Sequence, residues 1–405
     1  MKEDPTPPMQ RTDSGKGLNK VAGPLFLVLA ITVGACMISA QEEQAMGNVS
    51  VSQFETDPAK GRDFRELSVH PNGQELLFAE CSRELDPTGG CYVLRYHLTT
   101  KNLQRYALPD GYFYTTASFS PRGSYVLMSR VPKTDGNEEN QEKVRQTYEN
   151  AEIVLMKTDG TGFKVLQLAK GDKVAPIMSQ DEMRVAYWRA TLRPPGSKTF
   201  SSNFDVWEVN LNTGQDNLFA GPFSFFERSN LQYLSQDEML VGAYGPKAYA
   251  RSIFEYDKKY NHSQVYRIQR GAPTLPAPVL TEIEYASYPS INRAGNIYFH
   301  GTRPGISLFK KSLEGTIEQW VKPHDIGPIF SLVAAPDGSY IAFTYVIKGT
   351  HPREAKKGIG LLSTRTSEWN RVSIPPLQSS TPIAVKAALE EIKAEQTNEL
   401  QPMGV

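Results

Sequence analysis

Residues Ser331 to Tyr345 read SLVAAPDGSYIAFTY: a short apolar run, a turn at Pro336, Asp337 and Gly338, then a second and more apolar run. Pro fixes φ, Asp bonds its own backbone and Gly accepts φ > 0, so the three in succession specify a tight turn between two strands. The same phrase occurs five times upstream. It reads LSVHPNGQELLFAE from Leu67, ASFSPRGSYVLMSR from Ala117, APIMSQDEMRVAYWR from Ala175, LQYLSQDEMLVGAY from Leu231 and PSINRAGNIYFHGTR from Pro289. Aligned on Pro71, Pro121, Gln180, Gln236, Arg293 and Pro336, the copies stand 50, 59, 56, 57 and 43 residues apart. That spacing is near the ~40–50 residues of a four-stranded propeller blade.

Two more strand-like runs follow each phrase, as in EIVLMKTDGTGFKVLQLA, FDVWEVNLNTGQDNLFA and SLFKKSLEGTIEQWV. Asp159-Gly160, Asn212-Thr213-Gly214 and Glu314-Gly315 sit where a hairpin needs φ > 0. The unit is therefore four antiparallel strands, A to D, repeated six times between about Phe64 and Pro375. One unit cannot bury both its faces, so stacking in a ring is the physical solution. The pattern predicts an all-β, six-bladed propeller; a β-sandwich gives no reason for one phrase six times.

Pro336-Asp337-Gly338-Ser339-Tyr340-Ile341-Ala342-Phe343 closely resembles the Pro-Asp-Gly repeat of TolB-type propellers, and Ser120-Pro121-Arg122-Gly123 is similar to it. Gly301-Thr302-Arg303-Pro304-Gly305, leading to Leu308-Phe309, resembles that family's Ser-x-Arg-x-Gly link to an Ile-Tyr strand. The resemblance covers about three quarters of the chain. It implies the propeller fold, and it says little about function, because such propellers serve as scaffolds, as gates and occasionally as enzymes. TolB itself carries an α/β domain before its propeller; here only about 20 residues separate the apolar N-terminal run from the first blade.

That run, VAGPLFLVLAITVGACMISA from Val21 to Ala40, has no charge and follows Lys16 and Lys20. Basic residues before an apolar stretch and small residues mark an export signal, and its length also suits a single bilayer span. Cleavage after Ile38-Ser39-Ala40, retention as an anchor, and lipidation of Cys36 in the lipobox-like Val33-Gly34-Ala35-Cys36 all remain open. The expected organisation is a signal or anchor over residues 1–45, a linker over 46–63, the propeller over 64–376, and a linker, short helix and tail over 377–405. The expected location is outside the cytoplasm, in the periplasm or at the cell surface, tethered to the membrane. Cys81 and Cys91 flank a loop with Pro87, Gly89 and Gly90, so they face each other across the neck of a hairpin. In an oxidising compartment they can close a disulfide.

Two segments fall outside the repeats. Val131 to Asn150 is an insertion in the second blade whose charges, such as Glu139 and Lys143, suit a short solvated helix. Near the C-terminus, Thr381 can cap a helix with Pro382 in its first position, and Ile383, Val385, Leu389 and Ile392 form a narrow apolar stripe for packing outside the propeller or on a partner.

Composition narrows the chemistry. Lys plus Arg and Asp plus Glu both total 44, which argues against a general nucleic-acid binder. There is no Gly-x-Ser-x-Gly elbow, His-Glu-x-x-His pair or glycine-rich phosphate loop, and the His residues, among them His300, His324 and His351, are not at metal-ligand spacing. No cofactor or metal is implied. In a propeller the B–C and D–A connections emerge on one face. In blades 3 to 6 the B–C connections hold ten Lys and Arg, including Arg189, Arg193, Lys247, Arg251 and Arg303, against Glu354 alone; blades 1 and 2 add five basic and seven acidic residues. Arg83, Arg130, Arg189 and Arg303 occupy equivalent positions after strand B, expected to face the channel mouth, and Tyr112, Tyr114 and Phe225 lie near the same face. Cations above aromatic rings suit an anionic or extended ligand. The expected function is a non-catalytic envelope scaffold that binds a protein segment or an anionic polymer. The alternative is a lyase or hydrolase acting on envelope polysaccharide from the channel mouth. Nothing in the sequence sets an oligomeric state.

Overall fold

The computed structural model describes residues 62–81, 91–133, 146–192, 201–246, 263–283, 285–302, 306–324, 326–347 and 357–387. All belong to one unit of the chain, Gln53–Val405. The apolar segment Val21–Ala40, with Cys36, lies outside the described residues. Among those described, no helix is long and apolar enough to cross a membrane.

The chain forms six antiparallel blades in sequence order. Blade 1 is β1 (Phe64–Val69), β2 (Glu75–Cys81), β3 (Cys91–His97) and β4 (Leu103–Ala107). Blade 2 is β5 (Tyr112–Phe119), β6 (Tyr125–Pro132), β7 (Glu152–Lys157) and β8 (Lys164–Val165). Blade 3 is β9 (Asp172–Met178), β10 (Arg184–Leu192), β11 (Ser201–Asn210) and β12 (Asp216–Leu218). Blade 4 is β13 (Phe225–Tyr233), β14 (Glu238–Pro246) and β15 (Ser263–Gln269), with Val279 N–H donating to Val265 O at 2.8 Å in the place of a fourth strand. Blade 5 is β16 (Tyr285–Ile291), β17 (Ile297–Thr302), β18 (Ile306–Lys311) and β19 (Ile317–Val321). Blade 6 is β20 (Ile326–Ala334), β21 (Tyr340–Ile347), β22 (Lys357–Ser363) and β23 (Trp369–Val372). The six innermost strands touch in the order β1, β5, β9, β13, β16, β20 and back to β1, which closes the ring.

The repeated phrase explains this arrangement locally. Its turn carries a 2.8–3.0 Å hydrogen bond three residues back from Gly73, Gly123, Gly295 and Gly338, each at φ between 72° and 81°. Glu182 holds the same place in blade 3 at φ 61°. The second strand of each blade is buried on both faces, so it reads as a continuous apolar run. In β2, Leu76 and Phe78 pack toward blade 6 while Leu77 packs toward blade 2. The core is correspondingly six wedges, one at each blade junction.

The ring closes between blade 6 and blade 1: β1 to β4 are N-terminal and β20 to β23 C-terminal, and the chain leaving β23 crosses this seam to add a further strand to the outer edge of blade 1. The seam is held by a shared apolar cluster and by contacts such as Lys357 N to Arg62 O (3.2 Å), Arg62 Nη1 to Ile374 O (2.8 Å) and Tyr96 OH to Ser373 O (3.2 Å).

The start of the expected C-terminal helix is instead a strand. β24 (Thr381–Ala384) pairs parallel with β4, so Thr381 caps no helix and Pro382 opens none. The outer edge of blade 1 offers an unpaired ladder, and pairing with it outweighs local helix propensity. The strap continues onto blade 2, where Lys386 N donates to Gly160 O and Phe163 N to Lys386 O. Gly160 sits at φ 90°, and a Cβ there would fall 2.2 Å from Ala384 O. Ile383 and Val385 pack on the blade 1–2 cluster; Leu389 and Ile392 lie outside the described residues. In the blade 2 insertion, residues 146–149 form one helical turn.

Candidate functional site

Each innermost strand pairs outward with its own blade and turns its other edge to the channel, where backbone N–H groups lack ladder partners. Small hydroxyl residues on the neighbouring blade fill that need. Leu67 N donates to Ser331 Oγ (3.1 Å), Phe119 N to Ser68 Oγ (3.0 Å), Ala175 N to Thr116 Oγ1 (3.2 Å), Tyr288 N to Ser229 Oγ (3.1 Å) and Ala334 N to Ser290 Oγ (2.9 Å). Five of the six junctions are joined this way, and at the sixth Trp188 Nε1 donates to Ser229 O at 2.9 Å.

Just before these bonds every innermost strand is bulged, at Arg65/Leu67, Tyr114/Thr116, Arg228/Leu231, Ser287/Ser290, Ile329/Ser331, and in β9 opposite Ala186/Trp188. The bulges form a collar at one level, on the side of the D–A connections. Bulges re-aim side chains, and they recur beside functional sites. Glu66 (φ 31°), Ala175 (φ 52°) and Tyr288 (φ 52°) are left-handed there, in alternate blades. Below the collar the channel holds a cavity of about 300 Å³ that reaches from Glu66 and Thr116 to the A–B turns at Pro71, Pro121, Arg293 and Pro336. Its amides are engaged in the framework: Gln232 both accepts from Ile291 N (2.7 Å) and donates to Ile291 O (3.2 Å), and Asn230 donates to Leu332 O (2.7 Å).

At the collar, Glu66 Oε1 of blade 1 meets Arg228 Nη1 of blade 4 at 2.8 Å. Blades 1 and 4 stand opposite in a ring of six, so this ion pair spans the channel. The side chains are 21% exposed for Arg228 and 28% for Glu66. Burial works against the Arg228 charge, and Glu66, then Asp172 and Tyr288, more than reverse it, leaving the guanidinium above its ordinary value. On the blade 6 side, Phe330 is an exposed aromatic in the bulge of β20, with Lys357 Nζ 5.1 Å from its ring centroid and Asp63 2.9 Å from the same amine.

The residues singled out from the sequence have other places. Arg130 and Arg189 do not face the channel mouth: both lie within their second strands and turn to their own blades. Arg130 is 5% exposed, pairs with Glu152 at 2.7 Å and lies 3.7 Å from the Tyr112 ring centroid. Arg189 pairs with Asp216 at 3.2 Å and stacks 3.1 Å from the Trp207 ring centroid. Tyr114 is buried beneath Arg130, its hydroxyl 3.4 Å from Nη1, and Phe225 is a core residue of the blade 3–4 wedge. The structure thus brings Tyr112, Tyr114 and Arg130 together, as packing within blade 2. Arg83, Arg193, Lys247, Arg251 and Arg303 lie outside the described residues. Cys81 and Cys91 are opposed in register and joined as a disulfide. Sequence reasoning missed Glu66, Arg228, Tyr288 and Phe330. The available signal was a charge at the entry to an innermost strand, just ahead of the repeated phrase.

One imidazole has a partner of chemical interest. His300 Nδ1 lies 3.3 Å from Ser287 Oγ, which donates to Tyr285 OH at 3.2 Å. Burial, then the Lys322 charge, push this histidine down to about 4. Ser287 and His300 are 2% and 5% exposed, so the chain of groups is closed to a substrate and acts as a buried polar link. Among the described residues no group of three or more His, Cys, Asp or Glu is placed to hold a metal ion.

No family model matches the sequence, and the search of curated proteins gives no match. Solved structures do match in fold. An oligogalacturonate lyase in complex with manganese is 11% identical over 78% of each chain, with a TM-score of 0.46. An oligogalacturonate lyase from Vibrio parahaemolyticus is 12% identical over 78% of this chain and 80% of that one, at 0.48. The β-propeller domain of the trilobed protease from Pyrococcus furiosus is 11% identical over 78% of this chain and all of that one, at 0.44. At such identities the likeness is one of fold.

Proposed function

We propose that this chain is a non-catalytic binding propeller of the cell envelope, exported through Val21–Ala40, held near the membrane by that segment or by lipid on Cys36, and recognising an extended polypeptide at its collar. The TolB-type character of the repeats and the one-sided basic charge of the B–C connections support the reading. The observation that carries it is the collar itself. Its backbone is locked across the blade junctions by hydroxyl bonds, and it presents a charged pair and an exposed aromatic ring to the mouth. A stiff rim of this kind loses little freedom on binding, which favours recognition.

The test is site-specific photo-cross-linking of the full-length chain in its own envelope. A photoreactive phenylalanine analogue at Phe330 is expected to yield a discrete polypeptide adduct. The same analogue at Leu313, exposed in the turn between β18 and β19 on the opposite face, is expected to yield none. Equal labelling at both sites, or none at Phe330, removes the collar as the binding face. Palmitate labelling of wild type and Cys36→Ser decides the tether separately.

A further inference from the structure

We propose that Arg228 is the receptor for a carboxylate of the bound polypeptide, and that Glu66 from the opposite blade occupies it in the free protein as an internal mimic of that ligand. The inference rests on the collar being the binding face.

Three observations carry it. The pair differs from the ion pairs of the same fold in which a buried acid is held at two points. Arg62–Glu80 and Arg270–Glu208 are two-point contacts within their own blade neighbourhoods, with the acid at most 8% exposed. Glu66–Arg228 is a single contact at 2.8 Å with both side chains partly open to water. Among the described residues, no other group bonds the remaining N–H groups of the guanidinium, whose fork is built for two-point recognition of a carboxylate. Second, Glu66 reaches its partner from a backbone at φ 31°, short of the left-handed well near +57°. A non-glycine residue held there is strained, as at the equivalent bulges of Ala175 and Tyr288, and the bulge aims the Glu66 side chain across the channel. Third, the pair sits at the open end of the channel, with Tyr288 and Asp172 close enough to act on the guanidinium, and with Phe330 in the same collar. Asp172 keeps the arginine partly balanced while one carboxylate replaces another.

Polypeptide is favoured over acidic sugar by the mimic itself. What Arg228 donates to is a glutamyl carboxylate carried on a polypeptide backbone, and an acidic peptide presents the same group. Recognition then follows the exchange of one glutamyl carboxylate for another.

The experiment measures fluorescence anisotropy of labelled hexaglutamate on the full chain, with hexaglutamine and trigalacturonate as comparison probes. Glu66→Gln removes the internal competitor, and an exposed pair of this kind corresponds to about three- to fivefold tighter hexaglutamate binding. Arg228→Gln is expected to lose at least about tenfold, and Arg228→Lys to retain part of the affinity as a point charge without the fork. Thermal unfolding checks that each variant folds; should Arg228→Gln fail, Arg228→Lys carries the comparison. Unchanged or weaker binding by Glu66→Gln, undiminished binding by the Arg228 variants, or selection of trigalacturonate over hexaglutamate overturns the inference. If the Phe330 adduct persists while these variants bind like wild type, the binding face stands and the role of Arg228 falls. Loss of the adduct itself removes the face.

Discussion

Ser331→Ala isolates the chemistry that holds the ring shut. Ser331 is 2% exposed, and its hydroxyl accepts from Leu67 N across the junction of blades 6 and 1, where the ring closes. The substitution keeps the strand and the volume, and it leaves a buried backbone N–H without an acceptor. Such an orphan costs about 1–3 kcal/mol. At roughly 2 cal/mol/K per residue, a domain of about 300 residues has an unfolding entropy near 0.6 kcal/mol/K, so the expected fall in Tm is about 1.5–5 °C. Ser290→Ala is the companion, because it orphans Ala334 N at the junction of blades 5 and 6, which consecutive chain does join. The two variants are expected to lose similar equilibrium stability and to unfold at similar rates, since the C-terminal strap carries the chain across the blade 6–1 junction as consecutive chain does across the blade 5–6 junction. Thr366→Ala, on an exposed turn, serves as control with a change under about 0.5 kcal/mol. Calorimetry supplies Tm and stopped-flow unfolding in urea supplies the rates. A Tm for Ser331→Ala within half a degree of wild type would refute the view that side-chain hydroxyls close this propeller.

Other consequences are independent of that seam. Cys81 and Cys91 are separated by 10 residues, and reducing such a loop is expected to cost about 2–3 kcal/mol, visible as a lower Tm in dithiothreitol for wild type but not for Cys81→Ser/Cys91→Ser. His300 is held down at about 4 by burial and by Lys322, so the folded state takes up its proton later than the unfolded one. Stability is therefore present above about pH 6.5 and lost as pH falls toward 4, by about 3 kcal/mol over that window, and His300→Asn is expected to flatten this limb of a stability–pH curve. Glu182 occupies a left-handed turn position at φ 61°, where four other blades carry glycine; Glu182→Gly is expected to gain about 1 kcal/mol, less the weak 3.2 Å contact from Arg122 N to its carboxylate. Chemical denaturation of that pair of proteins checks it.

The fold was legible because one unit must be repeated to bury its faces, and repetition leaves its mark on every copy. Ser68, Ser290 and Ser331 also stand in the repeated phrase, so residues that stitch the junctions were on view, although their partners were not. The charged positions were harder to read. Arg130 and Arg189 fall near the ends of apolar runs and pass for loop residues, yet β6 and β10 extend past them. Their register sets Arg130 opposite Glu152 and Arg189 opposite Asp205, beside Asp216, so the cations are drawn into their own blades. Cross-strand pairing was the missing step: a basic residue late in strand B with an acid early in strand C is a pair before it is a binding site. The C-terminal strap misleads for a different reason. Ala387 onward is rich in helix formers, but Thr381 to Ala384 meets a vacant strand edge, and a ladder bond is available there that an isolated helical turn cannot match.

The collar was invisible because bulges follow from how strands twist around a ring, and no residue type announces them. Once they are located, the six positions can be compared directly. Five carry Thr115, Ala175, Ser229, Tyr288 and Phe330, none of which brings a charge; the sixth carries Glu66. A carboxylate in a partly buried ring is costly unless it is paired, and every neighbouring cation of blade 1 is already committed: Arg62 to Glu80, Arg65 to Asp63 and Arg95 to Glu75. Glu66 instead reaches across the channel, from a strained backbone, to an arginine that has no other partner among the described residues. Blade packing does not need Glu66, since the corresponding positions elsewhere are filled by hydroxyl, methyl and aromatic groups. A pair whose acid the blade framework does not require, placed at the channel mouth and held by one hydrogen bond, is suited to exchange its partner.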